Sequence, residues 1–104
     1  MARLIWTEPA LADLETIAEY IALDKPVAAQ RYVQKVFAAV ERLQRFPLSG
    51  SLPPEIPHLP YRQLVIPPCR IFYRIAGEQV FVIFVMRSEQ NFRVALLADR
   101  KSSD

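Results

Sequence analysis

The residues with most chemistry to offer are arginines. Between Cys69 and Arg87 the chain reads CRIFYRIAGEQVFVIFVMR, which sets Arg70, Arg74 and Arg87 among aromatic and β-branched residues. A guanidinium is permanently charged and presents a planar fork of donors, so it grips phosphates and carboxylates bidentately and stabilises developing negative charge. For the same reason it is a poor proton donor or acceptor. Two uses follow: metal-free RNA cleavage, with arginines steadying the phosphate, or capture of a carboxylate-rich protein segment. Other chemistries are poorly provided for. One cysteine (Cys69) and one histidine (His58) leave no Cys/His zinc set, and no metal or cofactor is expected. Two glycines cannot build a phosphate-cradling loop. His58 stands in a proline-rich loop and reads as a surface residue, so no Ser/His/Asp set is suggested. Cys69 reads as a small core residue.

These arginines must be positioned by a β-hairpin. Ile71, Tyr73 and Ile75 alternate with Arg70, Phe72 and Arg74, the period of a strand with two unlike faces. Gly77 supplies a tight turn. Val80 to Met86 is an unbroken apolar run, which predicts a central strand buried on both faces. A two-residue turn at Gly77-Glu78 sets Ile75 opposite Val80 and Arg70 opposite Val85. One face then carries Ile71, Tyr73, Ile75, Val80, Val82, Phe84 and Met86 and forms a core. The other carries Arg70, Phe72, Arg74, Phe81, Ile83, Val85 and Arg87, with Arg70 and Arg87 as diagonal neighbours about 7–8 Å apart.

The rest of the chain supplies the cover. Arg3 to Trp6 reads as a short strand. Thr7 is a candidate N-cap and Pro9 fits a first helical turn. Ala10, Leu14, Ile17, Ala18 and Ile21 form the apolar stripe of a helix over about residues 8–23. Glu8 and Asp13 lie near its start, where the helix dipole favours anions. A second helix, about 26–45 and capped by Asp24, buries Ala29, Val33, Val36, Val40 and Leu43, and its basic face (Arg31, Lys35, Arg42, Arg45) reads as solvated. Five prolines between Phe46 and Pro60 make a stiff crossing loop. Tyr61 to Ile66 is a further strand, and Glu89 to Arg100 is a weaker helical pattern with Phe92, Leu96 and Leu97 apolar.

This order predicts one α+β domain over residues 1–104. A helical hairpin packs on a mainly antiparallel sheet of three to four strands, with a short C-terminal helix. The arginine-bearing face is left open, or covered only by the C-terminal segment, and an apolar patch with a charged rim usually marks a protein–protein site. Charge is unevenly spread: residues 8–24 hold five acids and no base, whereas residues 62–101 hold seven bases and three acids. The basic half fits an acidic partner. No apolar run approaches the ~20 residues of a membrane span. With a single cysteine and no signal-peptide pattern, the expected location is a reducing cytoplasm.

Several short motifs, in order, carry a family resemblance over nearly the whole chain. They are Trp6-Thr7-Glu8-Pro9-Ala10 with Asp13-Leu14 and Ile17; Tyr20-Ile21-Ala22; Asp24-Lys25-Pro26 with Ala28-Ala29; Leu43 before Phe46-Pro47 and Ser49-Gly50; Pro54-Glu55; and Arg70 to Ile75 before a hydrophobic strand ending at Arg87. In this the chain resembles the RelE/ParE superfamily of type II toxin–antitoxin toxins, and its ParE side more closely.

The resemblance implies a small toxin neutralised by a cognate ParD-like antitoxin in a toxin–antitoxin hetero-oligomer, which touches operator DNA only through the antitoxin. ParE-like members poison DNA gyrase; RelE-like members cut mRNA on the ribosome. The RelE group uses an arginine matching Arg70, another near Arg87, basic residues before the hairpin and a C-terminal tyrosine. Here residues 46–69 hold Arg62 and no lysine, and the segment after Arg87 has Phe92 but no tyrosine. Met86 stands where many ParE-like chains carry histidine, so no role resting on that histidine transfers. The expectation is a gyrase-inhibiting binder rather than an enzyme, with Arg70, Phe72, Arg74, Phe81, Arg87 and Phe92 as its target- or antitoxin-binding residues. The alternative is a RelE-like ribosome-dependent mRNA interferase in which Arg70 and Arg87 are catalytic. A third reading is a relic whose one remaining partner is the antitoxin.

Overall fold

A computed structural model describes residues 1–98 and 100. Strand β1 (Arg3–Trp6) leads into helix α1 (Glu8–Ala22) and helix α2 (Pro26–Glu41). After the proline loop come β2 (Arg62–Ile66), β3 (Cys69–Ala76), β4 (Gln79–Arg87) and a five-residue helix α3 (Val94–Ala98). The sheet order is β1-β4-β3-β2. β1 runs parallel to β4, and the other pairs are antiparallel. The expected α+β architecture is the one observed.

Local chemistry explains the helical boundaries. The Thr7 hydroxyl accepts from the Ala10 amide at 3.4 Å, and Pro9 occupies the first turn, where no intrahelical donor is needed. At the other end the Asp24 and Lys25 amides both bond back to the Ile21 carbonyl. Asp24 therefore closes α1 rather than capping α2 as expected. The residue at the α2 cap position is Lys25, which offers no acceptor, and its side chain makes no cap bond. α2 also stops at Glu41, short of residue 45; Arg42–Gln44 tighten into a single 3-10 turn.

The helical hairpin covers one face of the sheet. Leu14 and Ile17 of α1, Val36 and Val40 of α2, and Leu43 pack against Ile71, Tyr73, Val80 and Val82, all nearly inaccessible. Each such side chain contributes about 1.5–3 kcal/mol by leaving water.

The hairpin of β3 and β4 holds the main correction. Gly77 has φ +60° and closes the expected turn, with Ile75 opposite Val80. Beyond Tyr73↔Val82 the next pair is Phe72↔Phe84, so Ile83 is an extra residue on β4. This bulge moves everything after it by one position. Arg70 faces Met86, not Val85, and Arg87 faces Cys69. Phe84 and Met86 turn to the second face, while Val85 joins the helix-covered core. Two residues opposing one is how a bulge re-aims side chains.

The second face is not open. Phe72, Ile83, Phe84 and Met86 are buried beneath Ile56 and Tyr61 of the proline loop and Leu97 of α3, with Leu59, Phe92 and Leu96 beside them. The loop, whose role as cover was not foreseen, joins the C-terminal segment over a face expected to be open or covered by that segment alone.

Candidate functional site

Arg70 is the node of the second face. Its Nε donates to Gln63 Oε1 at 2.8 Å, and its two terminal nitrogens reach the Glu55 carboxylate at 2.8 and 2.7 Å. Its guanidinium also lies 4.8 Å from the centre of the Phe72 ring and 5.8 Å from that of Phe92. Phe92 stacks on Phe72 with parallel planes, centroids 5.2 Å apart. One side chain thus ties β2, the proline loop and the C-terminal segment to β3. The paired guanidinium holds the Glu55 carboxyl below the usual carboxylate range. Arg70 is only 12% exposed at its side chain.

Arg74 and Phe81 are brought together at the turn end of the hairpin, the guanidinium 4.8 Å from the ring centre. Arg87 is not with them. The bulge sends it to the helix side, where it lies 4.7 Å from the Tyr20 ring centre of α1 and 3.2 Å from Glu89. Of the six residues expected to form one site, Arg70, Phe72, Arg74, Phe81 and Phe92 belong to one side of the sheet and Arg87 to the other. Tyr73, expected to face away from both Arg70 and Arg87, shares the helix side with Arg87.

Two residues missed in the sequence are tied here. Past Trp6, β1 has ended and the outer edge of β4 has no strand beside it. Thr7 takes the Val82 carbonyl, through its hydroxyl at 2.7 Å and its amide at 3.2 Å. Asp13 Oδ2 accepts from the Val85 amide at 3.0 Å. Arg100 donates to the Ile83 carbonyl at 3.1 Å and grips the Asp13 carboxylate at 2.7 and 2.9 Å. Its guanidinium lies 4.8 Å from the Phe84 ring centre. The backbone groups that the bulge leaves at the sheet edge are therefore satisfied from both ends of the chain. No local pattern signals this pairing. Glu55 had a weak signal: it is the one acid between Glu41 and Glu78.

Three hollows flank these residues. A groove of about 660 Å³ runs between α1 and the 89–96 segment, lined by Asp13, Thr16, Glu89 and Arg93. A second, of about 400 Å³, lies under the other side of α3 among Leu59, Tyr61, Arg74 and Val94. A third, of about 710 Å³, separates the two long helices and is lined by Ala18, Ala22, Ala29 and Val33. On either side of the connection between the two helices, Tyr20, Leu23 and Val27 are all more than half exposed. Among the described residues no cluster of three or more His, Cys, Asp or Glu could hold a metal ion. His58 is exposed and Cys69 fully buried, its thiol pushed up by desolvation. No described helix is long and apolar enough to cross a membrane.

Comparison with known proteins gives this geometry a family. Residues 4–92 match the family described as the ParE toxin of the type II toxin–antitoxin system parDE. Toxin RelE2 of Caulobacter vibrioides is 37% identical over 84 residues, covering 80% of this chain and 91% of that protein. Protein Y4kP of Sinorhizobium fredii is 38% identical over 92 residues, covering 86% and 92%. Among solved structures, a chain of the chromosomal ParDE system of P. aeruginosa superimposes with a TM-score of 0.74 at 28% identity, covering 86% of this chain and 98% of that one. The chain belongs to the ParE toxin family of type II toxin–antitoxin systems.

Proposed function

We propose that this ParE-family toxin acts by binding and inhibiting DNA gyrase, and that a ParD-like antitoxin neutralises it. The observation that carries this reading is the state of the two arginines a ribonuclease would need. Cleavage at a 2′-hydroxyl requires proton transfers as well as charge stabilisation. Arg70 already holds a bidentate carboxylate, and Arg87 lies across the sheet from it. They do not converge on one phosphate. Among the described residues no histidine or lysine is paired with either; the Tyr20 ring lies against Arg87, across the sheet from Arg70, and the hydroxyl of Tyr73 is committed to the Pro47 carbonyl at 2.7 Å. A binding mechanism needs none of those transfers.

The antitoxin site lies along the helical hairpin. The mostly apolar groove between α1 and α2, lined by Ala18, Ala22, Ala29 and Val33, suits the apolar face of a segment that orders on binding. The sheet face around Phe72 is filled by the protein's own loop and C-terminal segment, so the antitoxin's acids meet Arg87 and Arg74 at the edges rather than Arg70.

The test runs gyrase supercoiling and cleavage-complex assays beside a ribosome-dependent mRNA cleavage assay. Inhibited supercoiling with intact mRNA is the expected result. Codon-phased cuts lost in Arg70→Ala and Arg87→Ala, with gyrase unaffected, would install the interferase alternative. Hydrogen exchange with bound antitoxin should add protection along α1 and α2; unchanged exchange there would remove the groove assignment.

A further inference from the structure

The outer face of the helical hairpin carries its charge in two rows. On α1, Glu8, Glu15 and Glu19 stand on the side of the helix away from buried Ala10, Leu14 and Ile17. On α2 and its C-cap, Arg31, Lys35 and Arg42 stand away from buried Ala29, Val36 and Val40. All six are exposed, and among the described residues none of them forms a salt bridge. The chain doubles back between Ala22 and Pro26, so each acid has a base near its own level: Glu19 with Arg31, Glu15 with Lys35, Glu8 with Arg42. The offset is the same each time, about two residues or 3 Å along the helix. Between the rows runs the groove of small residues Ala18, Ala22, Ala29 and Val33.

This pattern selects its partner. A polyanion is repelled by the α1 row and a polycation by the α2 row. The surface that fits has the same two rows turned over, and a second copy of this chain supplies it. Two hairpins can meet face to face about a twofold axis in two ways. An axis across the helices stacks α1 on α1, acid on acid. An axis along them sets α1 of each copy over α2 of the other, and every acidic row meets a basic one. Helices of 15 and 16 residues give a face roughly 24 Å long and about 20 Å wide. That is the small end of specific interfaces, so the pair is a reversible one.

We propose that the free toxin pairs with a second copy of itself through the helical hairpins, α1 of each over α2 of the other, and so covers the groove between them. The pairing stands on charge and fold alone. That an antitoxin segment must displace the second copy rests in addition on the assignment of that groove to the antitoxin.

Charge reversal tests the arrangement. One variant carries Glu15→Arg with Glu19→Arg, the other Arg31→Glu with Lys35→Glu. Sedimentation velocity on antitoxin-free toxin at micromolar concentrations measures wild type, each variant alone and the two variants mixed. Wild type should dimerise, and each variant alone should self-associate at least tenfold more weakly, because like charges then face each other twice. The equimolar mixture should regain dimers within about threefold of wild type, since in the mixed pair every row again meets its opposite. Recovery on mixing also shows that both variants are folded. Monomeric wild type, variants that dimerise as wild type does, or a mixture no tighter than its parts overturns the proposal. A second measurement addresses the antitoxin. Wild-type toxin labelled in two colours should lose fluorescence transfer when the antitoxin's toxin-binding segment is added as a peptide. Transfer that persists with the peptide bound would remove the antitoxin from the groove and leave the pairing standing.

Discussion

The Tyr73 phenol and the Gly50 amide meet at 2.9 Å in the interior, and the same hydroxyl donates to the Pro47 carbonyl at 2.7 Å. One buried side chain on β3 thereby satisfies two backbone groups where the chain leaves α2 for the proline loop. A Cβ at Gly50 would stand 2.5 Å from that hydroxyl and 2.6 Å from the Gln63 carbonyl. Tyr73→Phe should cost about 1–3 kcal/mol, because it strands a buried amide. Gly50→Ala should cost a similar ~1–3 kcal/mol by overpacking. Urea unfolding midpoints measure both, and a change below about 0.5 kcal/mol in either would contradict the tie.

Glu55 gives the acid side of stability a specific source. Its carboxyl titrates below its ordinary value of 4.5 because Arg70 hydrogen-bonds the charged form. A depressed folded-state value stabilises the protein above the unfolded value and loses that contribution as pH falls through the folded one. Stability of wild type should therefore decline below pH 4.5 more steeply than that of Glu55→Gln. Parallel acid limbs would remove Glu55 from the account.

Arg70 and Arg87 should part company in a stability measurement. Arg70→Ala leaves Glu55 and Gln63 without their partner and uncovers Phe72, an expected loss of about 2 kcal/mol. Arg87 is 35% exposed and paired with a more exposed Glu89, so Arg87→Ala should cost at most about 1 kcal/mol. Equal losses would mean that the bulge does not separate them as described.

Thr7 serves two elements at once, as cap of α1 and as partner of the Val82 carbonyl. Thr7→Val keeps the shape and removes both bonds. It should lower stability by about 1–2 kcal/mol, at the upper end for a cap. Thr7→Ser should restore most of that, and denaturation of the pair decides it.

Much of the fold was legible because its signals are local. The stripe from Ala10 to Ile21, the proline at position 26 and the glycine at position 77 each act within a few residues of where they stand. The bulge was not legible. Val80 to Met86 is apolar at every position, so the run has no alternation from which a shift of face could be read. That one shift reassigned Phe84, Val85, Met86 and Arg87. Asp13 and Arg100 were illegible for a different reason: α1 crosses the edge of β4, and only the assembled sheet brings the two ends of the chain together. Asp24 shows a third kind of failure, since two helices compete for one short connection and the earlier one took the residue.

The parallel pairing of β1 with β4 sets an order in time. A ribosome delivers position 3 long before position 79, yet these two are sheet partners. While synthesis proceeds, β1 has no neighbour and the apolar stripes of both helices have no sheet to lie on. Only with the arrival of β4 can β1, β3 and α1 close around a common strand, a long-range closure of the kind that folds slowly. A nascent chain interrupted before Gln79 would carry both long helices and lack the strand at the centre of the sheet. Such a fragment would be a target for proteolysis rather than a working toxin, so translation of the last quarter of these residues decides whether the molecule becomes dangerous at all.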